Sequence, residues 1–165
     1  MKLNLRIIIL IFSSSIMSCK QKQNEKIINN TPNNWEEIEV NTRTEKLKIS
    51  KFSDSAEYEN NPNNITFKIL PEDGKIIEEK IIRKKIYFSK SEKDSLAKYV
   101  YESVTNPKFT DVFATELAGS VIFIYDTGKT KLICENESVG DWSILSESTK
   151  KIYELISKKV EISKN

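Results

Sequence analysis

The sequence has 165 residues, with 26 Lys and Arg against 24 Asp and Glu, 38% apolar and 30% charged side chains, which suits one domain with a single modest core. Histidine is absent, which removes histidine general bases, Ser-His and Cys-His dyads, and most zinc sites. With 4 glycines in the chain, Gly-rich phosphate loops are hard to build.

Lys2 and Arg6 form a basic tip, followed by the apolar run Ile7-Ile8-Ile9-Leu10-Ile11-Phe12 and a small-residue stretch ending at Cys19. The apolar run is shorter than the roughly 20 residues a spanning helix needs, and the pattern is that of a secretory signal. Ile16-Met17-Ser18-Cys19 resembles the lipobox of bacterial lipoproteins, with an aliphatic residue at −3, a small residue at −1 and the obligatory Cys at +1. Met17 departs from the usual choice at −2. The resemblance implies cleavage before Cys19, a thioether-linked diacylglycerol on its sulfur and an acyl chain on the new amino group. Three chains would hold the protein on a membrane, since two acyl signals already anchor stably. Lys20 stands where Asp is linked with inner-membrane retention, so the resemblance implies an outer-membrane anchor facing the periplasm. Lys2 and Arg6 lie in residues 1–18 with no acidic residue beside them, so the mature chain is electrically even. A balanced chain with dispersed Lys gives no case for nucleic-acid binding.

Residues 19–34 are expected to form the lipidated Cys and a flexible tether, because polar residues dominate and only Ile27 and Ile28 are apolar. A single domain is expected over 35–165. Trp35 to Val40, Leu47 to Ile49, Ala56 to Tyr58 and Ile65 to Ile69 alternate apolar and polar residues, which predicts half-buried strands. Pro71-Glu72-Asp73-Gly74 predicts a turn. Ile76 to Phe88 predicts one long strand, bent or broken near Lys80. Ser89 with Glu92, or Ser91 with Asp94, offers a capping box for a helix whose apolar face holds Leu96, Tyr99, Val100 and Val104. Asn106-Pro107 ends it. Phe109 to Leu117 reads as either loop or short strand. Val121 to Tyr125, an unbroken apolar run, fits a central strand, and Asp126 to Lys129 turns it into a return strand through Cys134. A second helix is expected from about Ser146 to Val160, with Ile152, Leu155, Ile156 and Val160 as its stripe. Together these predict an α+β domain: an antiparallel meander of about six or seven strands with two helices packed on one face.

Asp126-Thr127-Gly128 resembles the triplet of aspartic proteases, but that chemistry needs a second carboxylate, and a hairpin turn explains the same residues. Gly128-Lys129-Thr130 lacks the upstream Gly of a phosphate loop, where Phe123 stands instead. Cys134 has no histidine to activate it and reads as a buried, inert thiol, with no intramolecular disulfide once Cys19 is lipidated. Asp111, Glu116, Asp126, Glu135, Glu137 and Asp141 crowd the second half, and two of them across a cleft would suffice for a glycosidase. Trp142, with Asp141 beside it, and Trp35 next to the tether are the candidate binding residues, although for the indoles a plug at an open end of the core is the favoured reading. Asp54-Ser55-Ala56 and Asp94-Ser95-Leu96 resemble the short O-glycosylation motif of some Gram-negative periplasmic proteins.

No catalytic residue, metal ligand or cofactor is expected. The residues lead to a lipid-anchored, non-enzymatic envelope protein that binds another protein in the periplasm, an immunity-type inhibitor being one version. The alternatives are a carboxylate-dependent hydrolase acting on envelope glycans, which needs a concave site with two acids, and a small-ligand or lipid carrier, which needs an apolar cavity.

Overall fold

Alternation of apolar and polar residues sorts each strand into a dry face and a wet one, and the computed structural model, which describes residues 32–64, 79–108 and 119–164, follows that sorting. The elements are β1 (Glu37–Thr42), β2 (Glu45–Ser50), β3 (Ala56–Asn60), β4 (Ile82–Ile86), α1 (Lys90–Thr105), β5 (Gly119–Asp126), β6 (Lys131–Val139) and α2 (Glu147–Ser157). The fold is α+β. Six strands form one antiparallel sheet in the order β4-β3-β2-β1-β5-β6. Ile38 and Val40 of β1, Leu47 and Ile49 of β2, and Val121, Phe123 and Tyr125 of β5 are all essentially inaccessible, on the face that packs against the helices.

The expected antiparallel sheet with two helices is present, and its strand order contains one crossover. β1 to β4 step outward strand by strand, and then β5 lies on the other side of β1, so α1 carries the chain back across the sheet. β4 spans Ile82–Ile86, after Glu79, Lys80 and Ile81 outside any strand, which agrees with a break near Lys80; residues 76–78 of the expected strand fall outside the described residues. The apolar run Val121 to Tyr125 is not buried on both faces: Ile122 and Ile124 lie half-exposed on the uncovered face, because the helices cover only the other. The expectations for residues 1–31, Ile65 to Ile69, the turn at Pro71 to Gly74 and Phe109 to Leu117 fall outside the described residues.

Both helices start where side chains can satisfy otherwise unpaired backbone amides. The Ser89 hydroxyl accepts from the Glu92 amide at 3.2 Å, and the Glu92 carboxylate accepts from the Ser89 amide at 2.7 Å. Of the two boxes offered by the sequence, this is the one used. Ser146 and Thr149 make the equivalent pair before α2. After α2 the chain does not stop at the helix. Val160 and Ile162 are buried, the Tyr58 hydroxyl donates to the Glu161 carbonyl at 2.7 Å, and the Ser163 hydroxyl donates to the buried Glu45 carboxylate at 2.7 Å. Residues 160–164 thus form a strap that closes the core beside β2 and β3.

Gly128 turns the β5–β6 hairpin at φ +75°, with the Asp126 carboxylate accepting from its amide at 2.7 Å. An added Cβ at Gly128 would stand 2.4 Å from the Glu36 carboxylate. Farther along, Gly119 pairs with Val139 while Ser120 pairs with Glu137, so Ser138 is the extra residue of a bulge, at φ +59°.

Candidate functional site

The face of the sheet away from the helices carries a patterned surface. On β1 to β4 acids and bases alternate across the strands. Lys85 stands opposite Glu57, Glu57 opposite Lys48, and Lys48 opposite Glu39. One row along, Arg83 faces Glu59 and Glu59 faces Lys46. This follows from two-residue alternation plus antiparallel register, which lines up every second side chain across strands. Lys46 reaches the Glu39 carboxylate at 3.2 Å, Lys48 reaches Glu37 at 2.8 Å, and Arg83 reaches Glu59 at 2.7 Å.

Glu39 sits deepest in this face, 7% exposed. Burial pushes its pKa up, but the Asn41 amide donating at 3.2 Å and the Lys46 ammonium outweigh that and hold it below the usual glutamate value. The Lys48 ammonium is held protonated more firmly than usual, first by its bond to Glu37. Asn41 Oδ1 is buried and meets no donor among the described residues.

On β5 and β6 the same face becomes apolar. Ile124 stands opposite Ile133, and Ile122 lies two residues along from Ile124, each half-exposed. Glu135, opposite Ile122, and Glu137, opposite Ser120, border this strip on edge strand β6. An apolar strip flanked by paired charges has the composition of a protein contact surface: a low-charge centre and a polar rim.

The candidate binding residues do not lie on this face. The Trp142 indole is 1% exposed, stacked edge-on between Phe123 and Tyr153 with centroids 5.8 Å and 5.6 Å away. Its Nε1–H donates to the Ser163 carbonyl at 2.7 Å, so it plugs the end of the core and ties the strap down. Asp141, beside it, accepts from the amide and hydroxyl of Ser143 and pairs with Lys164 at 3.5 Å. Burial raises the Asp141 pKa, but the Ser143 bonds and the Lys164 charge win and lower it. Trp35 is 2% exposed at the opposite end of the sheet, before β1, with the Lys51 ammonium 5.7 Å from its ring centre. The plug favoured for both indoles is what the structure shows. The plug geometry is visible only once the C-terminal strap is in place.

The carboxylates spread along the molecule. Asp126 caps the hairpin turn, Glu135 and Glu137 line β6, Asp141 caps the single helical turn at Trp142–Ile144, and Asp111 and Glu116 fall outside the described residues. An open hollow of about 190 Å³ brings Glu36, Glu37 and Asp126 together with Phe52 and Gly128 at one end of the sheet. Between sheet and helices, a hollow lined by Ser103, Phe123, Cys134 and Thr149 holds about 10 Å³, room for a water rather than a ligand. Among the described residues no group of three or more Asp, Glu or Cys is placed to hold a metal ion. Cys134 is buried as expected, 1% exposed. The Tyr125 hydroxyl, pushed up to about 12 by burial and by Tyr101, stays protonated at any ordinary pH.

No protein-family model matches this chain, and no curated protein and no solved structure matches it either.

Proposed function

We propose that the protein is a lipid-anchored envelope lipoprotein that binds another protein through the open face of its sheet. Ile16-Met17-Ser18-Cys19 carries the anchor half of this reading, through its likeness to the lipobox. Acylation of Cys19 would provide membrane attachment without a spanning segment. Among the described residues no helix is long and apolar enough to cross a membrane.

The observation that carries the binding half is the join between the charge ladder and the Ile122-Ile124-Ile133 strip. Each exposed ion pair contributes little to stability, about 0–1 kcal/mol. Charges held in fixed alternation do more for specificity, since a partner must present the complementary order or leave charges unpaired. The compartment implied by the anchor is the periplasmic side of the outer membrane, so the partner is a protein met there.

Two measurements test the reading. Cys19→Ser should abolish labelled-palmitate incorporation and detergent-phase partitioning; unchanged partitioning overturns the anchor. For the contact face, Ile124→Lys should abolish capture of a partner from native membranes while leaving the thermal midpoint nearly unchanged, because Ile124 is half-exposed. A partner held equally well by the variant would move the contact surface elsewhere.

A further inference from the structure

We infer that the end of the sheet where the tether enters is a bilayer-contacting surface, with Phe52 and Tyr87 as its interfacial side chains. The inference rests on the acylation of Cys19 proposed above. Phe52 is 78% exposed and Tyr87 is 67% exposed, the two most exposed large aromatic rings among the described residues.

Register places both at one end. Glu37 pairs with Ser50 and with Asp126, so the start of β1, the end of β2 and the β5–β6 turn are level. Ala56 pairs with Ile86, so the start of β3 and the end of β4 join them. Phe52 lies in the connection after β2, and Tyr87 directly follows β4. The chain leading back to Cys19 leaves from the same place. The Lys51 ammonium donates to the Asn33 carbonyl at 2.9 Å, and the Lys51 amide donates to the Glu36 carbonyl at 2.8 Å. The start of α1 and the end of α2 are there too, since Lys159 reaches Glu92 at 3.2 Å.

Fully stretched, the chain from Cys19 to Pro32 reaches at most roughly 45 Å. An anchor that short holds the tether end of the domain near the headgroups, at the high effective concentration of an intramolecular encounter. Aromatic rings beside the long stems of Lys are the side chains that settle at a lipid–water interface. Lys51, Lys90, Lys129 and Lys158 are exposed at this end, but so are Glu36 and Asp54. The rings rather than net charge therefore carry the contact, and salt should weaken it little. With the strand ends on the bilayer, the strands run away from it, and the open face stands sideways where a periplasmic partner can reach it.

The test uses the mature acylated protein in vesicles of phosphatidylethanolamine and phosphatidylglycerol containing brominated lipid. Phe52→Trp is compared with Ile144→Trp, because Ile144 is 71% exposed at the opposite end, next to Trp142. The wild type supplies the background from its two buried tryptophans. Several-fold greater quenching at position 52, with a blue-shifted emission that Tyr87→Ser weakens, supports the surface. Equal quenching at the two positions overturns it. If flotation shows that the protein is not acylated, the anchor reading falls by itself. The same pair is then read on nickel-chelating vesicles, with a histidine tag replacing residues 20–25, and the same difference decides the docking.

Discussion

Trp142→Phe separates a core plug from a binding anchor. Phe keeps an aromatic ring between Phe123 and Tyr153 but loses the Nε1–H that donates to the Ser163 carbonyl at 2.7 Å. Leaving that buried acceptor without its donor costs about 1–2 kcal/mol. The smaller ring leaves roughly 40 Å³ unfilled, worth about 1 kcal/mol more at the measured cost of cavities. The total of about 2–3 kcal/mol should lower the thermal midpoint by roughly 10 °C in a domain of this size. Trp142→Ala, which also removes the edge-on contacts, should cost about 3–5 kcal/mol. The strap is the element that should loosen. Trp142 N also donates to the Lys164 carbonyl, and Lys164 holds Asp141, so amide exchange should rise at residues 160–164 before it rises in β1 or β5. Calorimetry and hydrogen exchange read both effects. An unchanged midpoint together with lost partner capture would refute the reasoning, because the indole would then be acting on a partner rather than on Ser163.

Other substitutions act on single devices of the fold. Glu39 has a lowered pKa, so it contributes stability above its unfolded value and loses that contribution as pH falls through the carboxylate range. Glu39→Gln should therefore flatten the acid limb of a urea-midpoint profile, and an unaltered limb would mean Lys46 and Asn41 do not hold it ionised. Gly128→Ala should cost about 1–2 kcal/mol from the positive φ alone, measured by chemical denaturation, and displace the Glu36 carboxylate as well. Ser138→Gly should do the opposite and stabilise by about 0.5–1 kcal/mol, since glycine relieves φ +59° at the bulge at some cost in chain entropy. A lower melting temperature would mean that the Ser138 side chain makes a contact worth more than the strain.

What could be read from the residues follows from the range of the forces involved. Capping at Ser89 and the turn at Asp126 to Gly128 are local: side chain and amide lie within three positions, so the chain announces them without knowing its tertiary surroundings. Strand alternation is local too, and it placed Ile38, Leu47 and Tyr58 on the dry face. Strand order is not local. Whether β5 continues beyond β4 or returns beside β1 depends on where α1 lies across the sheet, and no spacing in the chain states that. The same limit hid the candidate contact face. Lys46, Lys48, Glu57, Glu59, Arg83 and Lys85 look like ordinary solvated charges along the sequence, and become an alternating ladder only when three registers are fixed together. The unbroken run at Val121 to Tyr125 marked β5 correctly as a central strand, but it did not tell that Ile122 and Ile124 would stand on the uncovered face. Apolar residues kept on an uncovered face, beside charges whose order the backbone enforces, fit a surface whose other half is supplied by a partner, and that is why Ile124→Lys, rather than any carboxylate substitution, is the change expected to reach function.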